Sequence, residues 1–207
     1  MILRATNLAA LSWIEHGFGT RHAPISQDGM ATLTQIHSAV SVIASAAGCA
    51  GEGDALIASQ PGVTVSVRTA DCLSILLADE TTRTVAAIHA GWRGSALHIA
   101  AATVARLERE FGVRPSNVYA AIGPGIGGCC YQVGAEVREK FGLAGAGLLD
   151  LARENRAQLL NAGVPPGHID VFNLCTACHP AQLHSWRRDK DGAGRMISYI
   201  RIRSAEP

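Results

Sequence analysis

The stretch Ala70-Asp71-Cys72-Leu73-Ser74-Ile75-Leu76-Leu77-Ala78-Asp79-Glu80-Thr81-Thr82-Arg83-Thr84-Val85-Ala86-Ala87-Ile88-His89-Ala90-Gly91-Trp92-Arg93-Gly94 decides the fold. Two short apolar runs, Ser74–Ala78 and Val85–His89, read as buried strands, and the polar segment Asp79 to Arg83 between them reads as a tight hairpin turn. A hairpin sets the far ends of its strands side by side, so Cys72 and His89 are expected to face each other across adjacent antiparallel strands. Outward from this pair, Val63-Thr64-Val65-Ser66-Val67 alternates with period two. Val118–Ile122 and Ile169–Phe172 repeat the short apolar form, and Arg195 to Arg203 alternates again and is expected to close the sheet. Helical spacing runs from Ser95 through Leu97, Ala101, Val104, Leu107 and Phe111 to a C-terminal Gly112. Two more helices are expected, over Gly134 to Phe141 before Gly142, and over Asp150 to Asn161 with Asp150 as cap and Gly163 beyond its end. Strands and helices intermix without the regular alternation of a doubly wound sheet, which favours a layered α+β fold.

Composition sets the bounds. The 207 residues are 48% hydrophobic and 17% charged, with a net charge of +1. This length fits a single domain over residues 1–207, and a globular chain of this size buries roughly 70% of its extended surface, enough for a core without disulfides. The near-neutral charge gives no bulk drive toward nucleic acid or an anionic membrane. The apolar residues are dispersed, with no run near the ~18 of a membrane span. The start, Met1 to Ser12, lacks the long apolar core of a signal peptide, so a cytoplasmic location is expected. The cysteines at 49, 72, 129, 130, 175 and 178 are then expected as thiols or metal ligands. Cys175-x-x-Cys178 has no second such pair, so a four-cysteine zinc ribbon is not expected. The histidines contain no His-x-His, which argues against a multicopper site.

Three segments carry groups suited to chemistry: Thr34-Gln35-Ile36-His37-Ser38, Arg68-Thr69-Ala70-Asp71-Cys72 and Ile88-His89-Ala90-Gly91-Trp92-Arg93-Gly94. A thiol beside an imidazole supports two chemistries. It is a nucleophile with its base, or, with His37 as third ligand, it holds zinc and leaves the fourth position open. Gly91-Trp92-Arg93-Gly94-Ser95 lies between a strand and a helix, where glycines admit a ligand closely, free N–H groups face an anion and Arg93 adds a forked cation. Ile122–Tyr131 is glycine-rich but lacks the Lys-Ser/Thr of a nucleotide-triphosphate loop, so it reads as a structural or substrate-lining loop. Trp186-Arg187-Arg188-Asp189 with Gly194-Arg195 reads as a solvated basic hairpin.

Taken in order, His16-Gly17-Phe18-Gly19-Thr20-Arg21, Thr34-Gln35-Ile36-His37, Gly53-Asp54-Ala55-Leu56-Ile57, Thr69-Ala70-Asp71-Cys72, His89-Ala90-Gly91-Trp92-Arg93-Gly94, Ile122-Gly123-Pro124 with Cys130-Tyr131, Asn173-Leu174-Cys175-Thr176 and Arg187-Arg188-Asp189 resemble the YfiH-like laccase-domain family. That family, long called multicopper polyphenol oxidases, is now read as zinc purine nucleoside phosphorylases. The resemblance implies a layered α-β-β-α sandwich with mixed sheets, and His37, Cys72 and His89 as zinc ligands. It implies phosphorolysis of adenosine, inosine, guanosine and methylthioadenosine, with adenosine deamination beside it, and small nucleosides and phosphate as partners. Some members are instead described as peptidoglycan editing factors, and the metal-free alternative is a Cys72–His89 hydrolase or deamidase. Cys72, His89, Arg93 and Asp71 are the expected catalytic residues, and Arg21, Gln35 and Arg93 the expected substrate or phosphate contacts. Gln132 stands where the family usually has a Glu and Gly125 where a Cys is common, departures that bear on substrate range more than on metal.

Overall fold

The computed structural model describes residues 1–204. Its strands are β1 (Ile2–Leu3), β2 (Ile14–Gly19), β3 (Ala31–Thr34), β4 (Ser41–Ile43), β5 (Gly48–Glu52), β6 (Ala55–Ala58), β7 (Thr64–Thr69), β8 (Leu73–Asp79), β9 (Thr84–Ala90), β10 (Val118–Ile122), β11 (Gln132–Val133), β12 (Gly147–Leu148), β13 (Ile169–Val171) and β14 (Met196–Ile202). Its α-helices are α1 (Thr6–Ala9), α2 (Trp92–Ala96), α3 (Ile99–Phe111), α4 (Ala135–Arg138), α5 (Leu151–Asn161) and α6 (Trp186–Asp189). Two six-stranded sheets form, in the orders β1-β2-β14-β7-β3-β5 and β13-β10-β8-β9-β6-β4, and each mixes parallel and antiparallel pairs. The expected α+β layering with mixed sheets is what the chain adopts.

The quoted hairpin explains the layering. Every residue of β8 and of β9 is buried. Leu73, Ile75, Leu77, Ala86, Ile88 and Ala90 join a core with Ile99, Val104 and Leu107 of α3 and Leu151 and Leu159 of α5. Leu76, Ala78, Val85 and Ala87 face the other way, onto Val65, Val67, Ile200 and Ile202 of the first sheet. A strand covered on both faces has no use for polar alternation, hence the continuous apolar runs. On the outer side of the first sheet, Gln27 of the preceding loop donates to Ser66, and Arg201 pairs with Glu15 at the surface.

Two helices differ from expectation. The spacing from Ser95 predicts one helix, but the chain forms α2, breaks at His98, whose φ is +59°, and restarts as α3. The break lets the buried Ser95 be held from α5: Asn155 Nδ2 donates to its Oγ (2.8 Å) and Gln158 Nε2 to its carbonyl (2.7 Å). The basic turn expected as a solvated hairpin is instead α6, packed into the structure by Arg188, whose Nη1 donates to the Thr176 carbonyl (2.7 Å) and Nη2 to that of Leu183 (2.9 Å). No helix among the described residues is long and apolar enough to cross a membrane.

Candidate metal centre and active site

His37, Cys72 and His89 come together, with one ligand atom from each lying within 4.8 Å of the others. His89 sits near the end of β9 on the side that faces the first sheet. The ladder pairs it with Ser74 and pairs Leu73 with Ala90. Cys72 therefore lies one step past the ladder, on the same side as His89 but diagonal to it rather than directly opposite as expected. The space the thiol occupies is made by Gly91, where a Cβ would stand 2.8 Å from Cys72 Sγ and 3.2 Å from the His37 ring. Gly94 serves the same end, because a Cβ there would meet the Ser38 carbonyl at 2.8 Å.

His37 reaches the site through a strained turn. Its φ is +59°, uncommon for a residue with a side chain, and Asp71, beside Cys72, has φ +81°. Asp54, a residue to which sequence reasoning gave no role, holds the first turn. It is fully buried, accepts from the backbone N–H of His37 (Oδ1, 3.0 Å) and from the N–H and hydroxyl of Ser38 (Oδ2, 2.5 and 2.7 Å), and contacts His89 Nδ1 at 2.8 Å. A buried carboxylate requires several donors, and here they are one ligand's backbone and the other ligand's ring. With Nδ1 turned to Asp54, His89 presents Nε2 to the site, the arrangement found behind metal-bound imidazoles. The rings of His37 and His89 meet edge to face, 4.8 Å apart.

The electrostatics favour an ionised thiol. Burial pushes the Cys72 thiol up, but hydrogen bonds and charge from His37 and His89 outweigh it and bring it down to about 7. Burial would lower His89, yet Asp54 and Cys72 raise it to about 9. Asp54 is likewise penalised by burial, but its contacts with His89 and Ser38 hold it down to about 2. Soft thiolate and borderline imidazole on three converging arms, with His37 exposed to solvent, suit a transition-metal ion with an accessible position. Two of the chain's histidines enter this donor set, far from a multicopper complement.

The other expected residues are placed as follows. Arg93 is exposed within α2, which begins at Trp92 rather than after Arg93, and its guanidinium stacks on the Trp92 ring at 4.5 Å. Asp71 is buried and points away from the ligands, its Oδ1 accepting from Thr176 Oγ1 (2.5 Å) and its Oδ2 from the Arg187 N–H (2.6 Å). Gln35 pairs both ends of its amide with the backbone of Arg68, at 2.9 Å each, and so anchors the turn that carries His37. Arg21 donates to Asp189 Oδ2 at 2.8 Å. Two residues without an expected role flank the site: Arg187 lies over the Tyr131 ring at 5.1 Å and donates to the Gln132 carbonyl. Burial, reinforced by the negative charge at Cys72, pushes the Tyr131 phenol up to about 12, which keeps it a hydrogen-bond donor.

The structure also gathers four cysteines that the sequence reading kept apart. Cys129, Cys130, Cys175 and Cys178 place their sulfurs within 4.8 Å of one another. Spacing alone missed them because a turn brings the adjacent pair to the Cys-x-x-Cys, so no second Cys-x-x-Cys is needed.

Residues 19–203 match the family described as "Multi-copper polyphenol oxidoreductase laccase". A purine nucleoside phosphorylase of Deinococcus radiodurans is 41% identical over 183 residues, covering 84% of this chain and 70% of that one. An adenosine deaminase, RL5, of an unknown prokaryotic organism is 37% identical over 161 residues, covering 71% and 61%. The chain thus spans about three fifths to seven tenths of these relatives' own lengths. Among solved structures, YlmD from Geobacillus stearothermophilus superposes with a TM-score of 0.88 at 28% identity, covering 98% of this chain and 96% of that one.

Proposed function

The chain belongs to the family described as multi-copper polyphenol oxidoreductase laccase, and from that membership we propose that it is a zinc-dependent purine nucleoside phosphorylase that also deaminates adenosine. The observation that carries this reading is the convergence of His37, Cys72 and His89 around one point, with Asp54 fixing both histidines. The phosphorylase and deaminase names of the relatives support the activity. Adenosine, inosine, guanosine and methylthioadenosine are the proposed substrates, with phosphate as the attacking partner.

His37, Cys72 and His89 would hold the ion, which when bound supplies Lewis acidity at an exposed position. The chain's own residues do the rest. Breaking the glycosidic bond develops positive charge on the ribose, so phosphate must be held close and in line. Arg93 and Arg187, whose charges both act on Tyr131, are the cations for that task. Arg93 is the one whose guanidinium is free to fork onto two phosphate oxygens. The Tyr131 phenol keeps its proton and can donate it in a hydrogen bond to substrate. Asp71 acts as a positioning residue, tying the Cys72 turn to Thr176 and α6.

One observation favours a second reading. Asp54 contacts His89 and His89 contacts Cys72, a relay of the kind that activates a thiol nucleophile, which would suit a metal-free hydrolase or deamidase. Metal analysis of untagged protein with a product assay separates the two. Adenosine with phosphate should give adenine and ribose 1-phosphate, adenosine without phosphate should give inosine and ammonia, and both should stop when the ion is chelated. Full activity in metal-free protein would overturn the zinc reading in favour of the nucleophile. No product from any of the four nucleosides in zinc-loaded protein would overturn the phosphorylase reading.

A further inference from the structure

We propose that Cys129, Cys130, Cys175 and Cys178 form a second, structural site for a soft divalent cation such as Zn2+, separate from the His37–Cys72–His89 group. All six cysteines are free thiols. Within the cluster Cys129 and Cys130 have sulfurs 3.7 Å apart, Cys129 and Cys178 3.8 Å, and Cys130 and Cys178 3.3 Å, and the fourth, Cys175, lies within 4.8 Å of each. A tetrahedral ion with sulfur ligands at ~2.3 Å sets its sulfurs on edges of ~3.8 Å. Cys129–Cys130 and Cys129–Cys178 already have that spacing, and the other pairs lie within 4.8 Å. The same compactness leaves room for one ion rather than a polynuclear iron–sulfur cluster.

The backbone around the cluster is built for it. Cys130 and Tyr131 donate their N–H groups to the Gly127 carbonyl (2.9 and 3.0 Å), which folds the adjacent pair into a turn with both sulfurs on one side. Gly125 bridges to Cys175 and accepts from the Thr176 N–H (2.9 Å), so the second pair enters alongside the first. Gly127 donates its N–H to Cys175 Sγ at 3.2 Å, a contact that stabilises a thiolate. A Cβ at Gly127 would stand 3.2 Å from Cys129 Sγ and 3.2 Å from Cys175 Cβ, so a larger residue there would press on the packed cysteines. Binding expels the four thiol protons and leaves a net charge of −2 on the centre. Arg153 and Arg156 line the cleft of about 610 Å3 that Cys129 and Cys175 also line, so positive charge stands on the same side of the cluster.

Four protein ligands make a closed site, and closed thiolate sites hold structure rather than perform catalysis. What this one would hold is specific. It clasps the Gly125–Tyr131 loop to the Cys175–Cys178 turn. Tyr131 follows the first cysteine pair directly, and Thr176, between the second pair, grips Asp71 next to Cys72. The cluster therefore fixes two flanks of the proposed active site from behind.

The test counts metal. Untagged protein purified without air should carry about two zinc ions per chain, and Cys178→Ser and Cys129→Ser, both at exposed positions, should each carry about one. His37→Ala should also drop to about one, but by losing the other ion, so failure of the catalytic-site reading and failure of this one give different results. Cobalt loaded into His37→Ala should show the intense thiolate-to-cobalt absorption of a tetrahedral sulfur site, and adding Cys178→Ser should abolish it. If the serine variants do not fold, thiol titration of native wild-type protein decides. Addition of a chelator should release two zinc ions and five thiols, four of them together with one ion and the fifth with the ion of the His37–Cys72–His89 group. A wild-type protein with one zinc that Cys178→Ser leaves unchanged would overturn the proposal. So would a Cys130–Cys178 disulfide in protein prepared without air.

Discussion

Asp54 is the residue on which the candidate centre turns, because one carboxylate orients two ligands. Asp54→Asn preserves the shape but removes the charge and turns one oxygen into a donor facing the His37, Ser38 and His89 groups. Loss of a residue that orients metal-bound imidazole costs 10–100-fold in metal affinity. Asp54→Asn should show that loss in a competition with a chelator, with the fold retained by circular dichroism; unchanged affinity would mean that Asp54 only supports the turn. Gly91 makes a complementary case. Its φ is −77°, so alanine suits its backbone, and any penalty in Gly91→Ala comes from the Cβ pressed against Cys72 Sγ. The expected cost is about 1–3 kcal/mol of stability and a weakened ion at this centre, read by thermal denaturation with and without chelator. A variant as stable and as well metallated as wild type would show that the thiol has room to spare.

At the scale of elements, the hairpin β8–β9, the strands β7, β10, β13 and β14 and the helices α3, α4 and α5 were legible, because buried runs and helical spacing are strong local signals. The strands β1, β2, β11 and β12 were not, nor were the short strands β3, β4, β5 and β6. The last four span only three to five residues each, and they pair through contacts distant in sequence. The metal ligands were legible through the Cys72–His89 hairpin and family resemblance. Asp54 was not, since an aspartate at a strand mouth looks like any turn residue until its donors are known. The break between α2 and α3 also escaped, because the apolar spacing runs through it while the buried polar tie from α5 overrides it. That tie is testable. Asn155→Ala removes the donor to Ser95 Oγ and leaves a buried hydroxyl without its partner, at a cost of about 1–3 kcal/mol. Since α2 carries Arg93, phosphate affinity should fall with stability while metal content stays the same. A stable Asn155→Ala enzyme with unaltered phosphate dependence would show that α2 is held by its apolar contacts alone.

For the whole molecule, one buried histidine outside the site sets an acid limit on stability. His16 in β2 accepts from the Ala5 N–H through Nε2 (2.9 Å), and burial, aided by the charge of Arg4, pushes it down to about 4. The unfolded chain binds this proton near pH 6.5 and the folded chain does not until about pH 4. Its contribution is therefore complete above pH 6.5 and is lost as the pH falls toward 4, by about 3 kcal/mol in all. Urea denaturation of metal-free protein between pH 4 and 7 should show this slope in wild type and lose it in His16→Gln; equal slopes in both would assign the acid sensitivity elsewhere. The central claim, that His37, Cys72 and His89 hold the ion on which phosphorolysis depends, is tested most directly by measuring zinc content and phosphate-dependent inosine cleavage together in His37→Ala, Cys72→Ala and His89→Ala. Each variant should lose about one zinc per chain and its cleavage activity in parallel. A Cys72→Ala protein that keeps its full zinc but loses cleavage would contradict the account and make Cys72 a nucleophile.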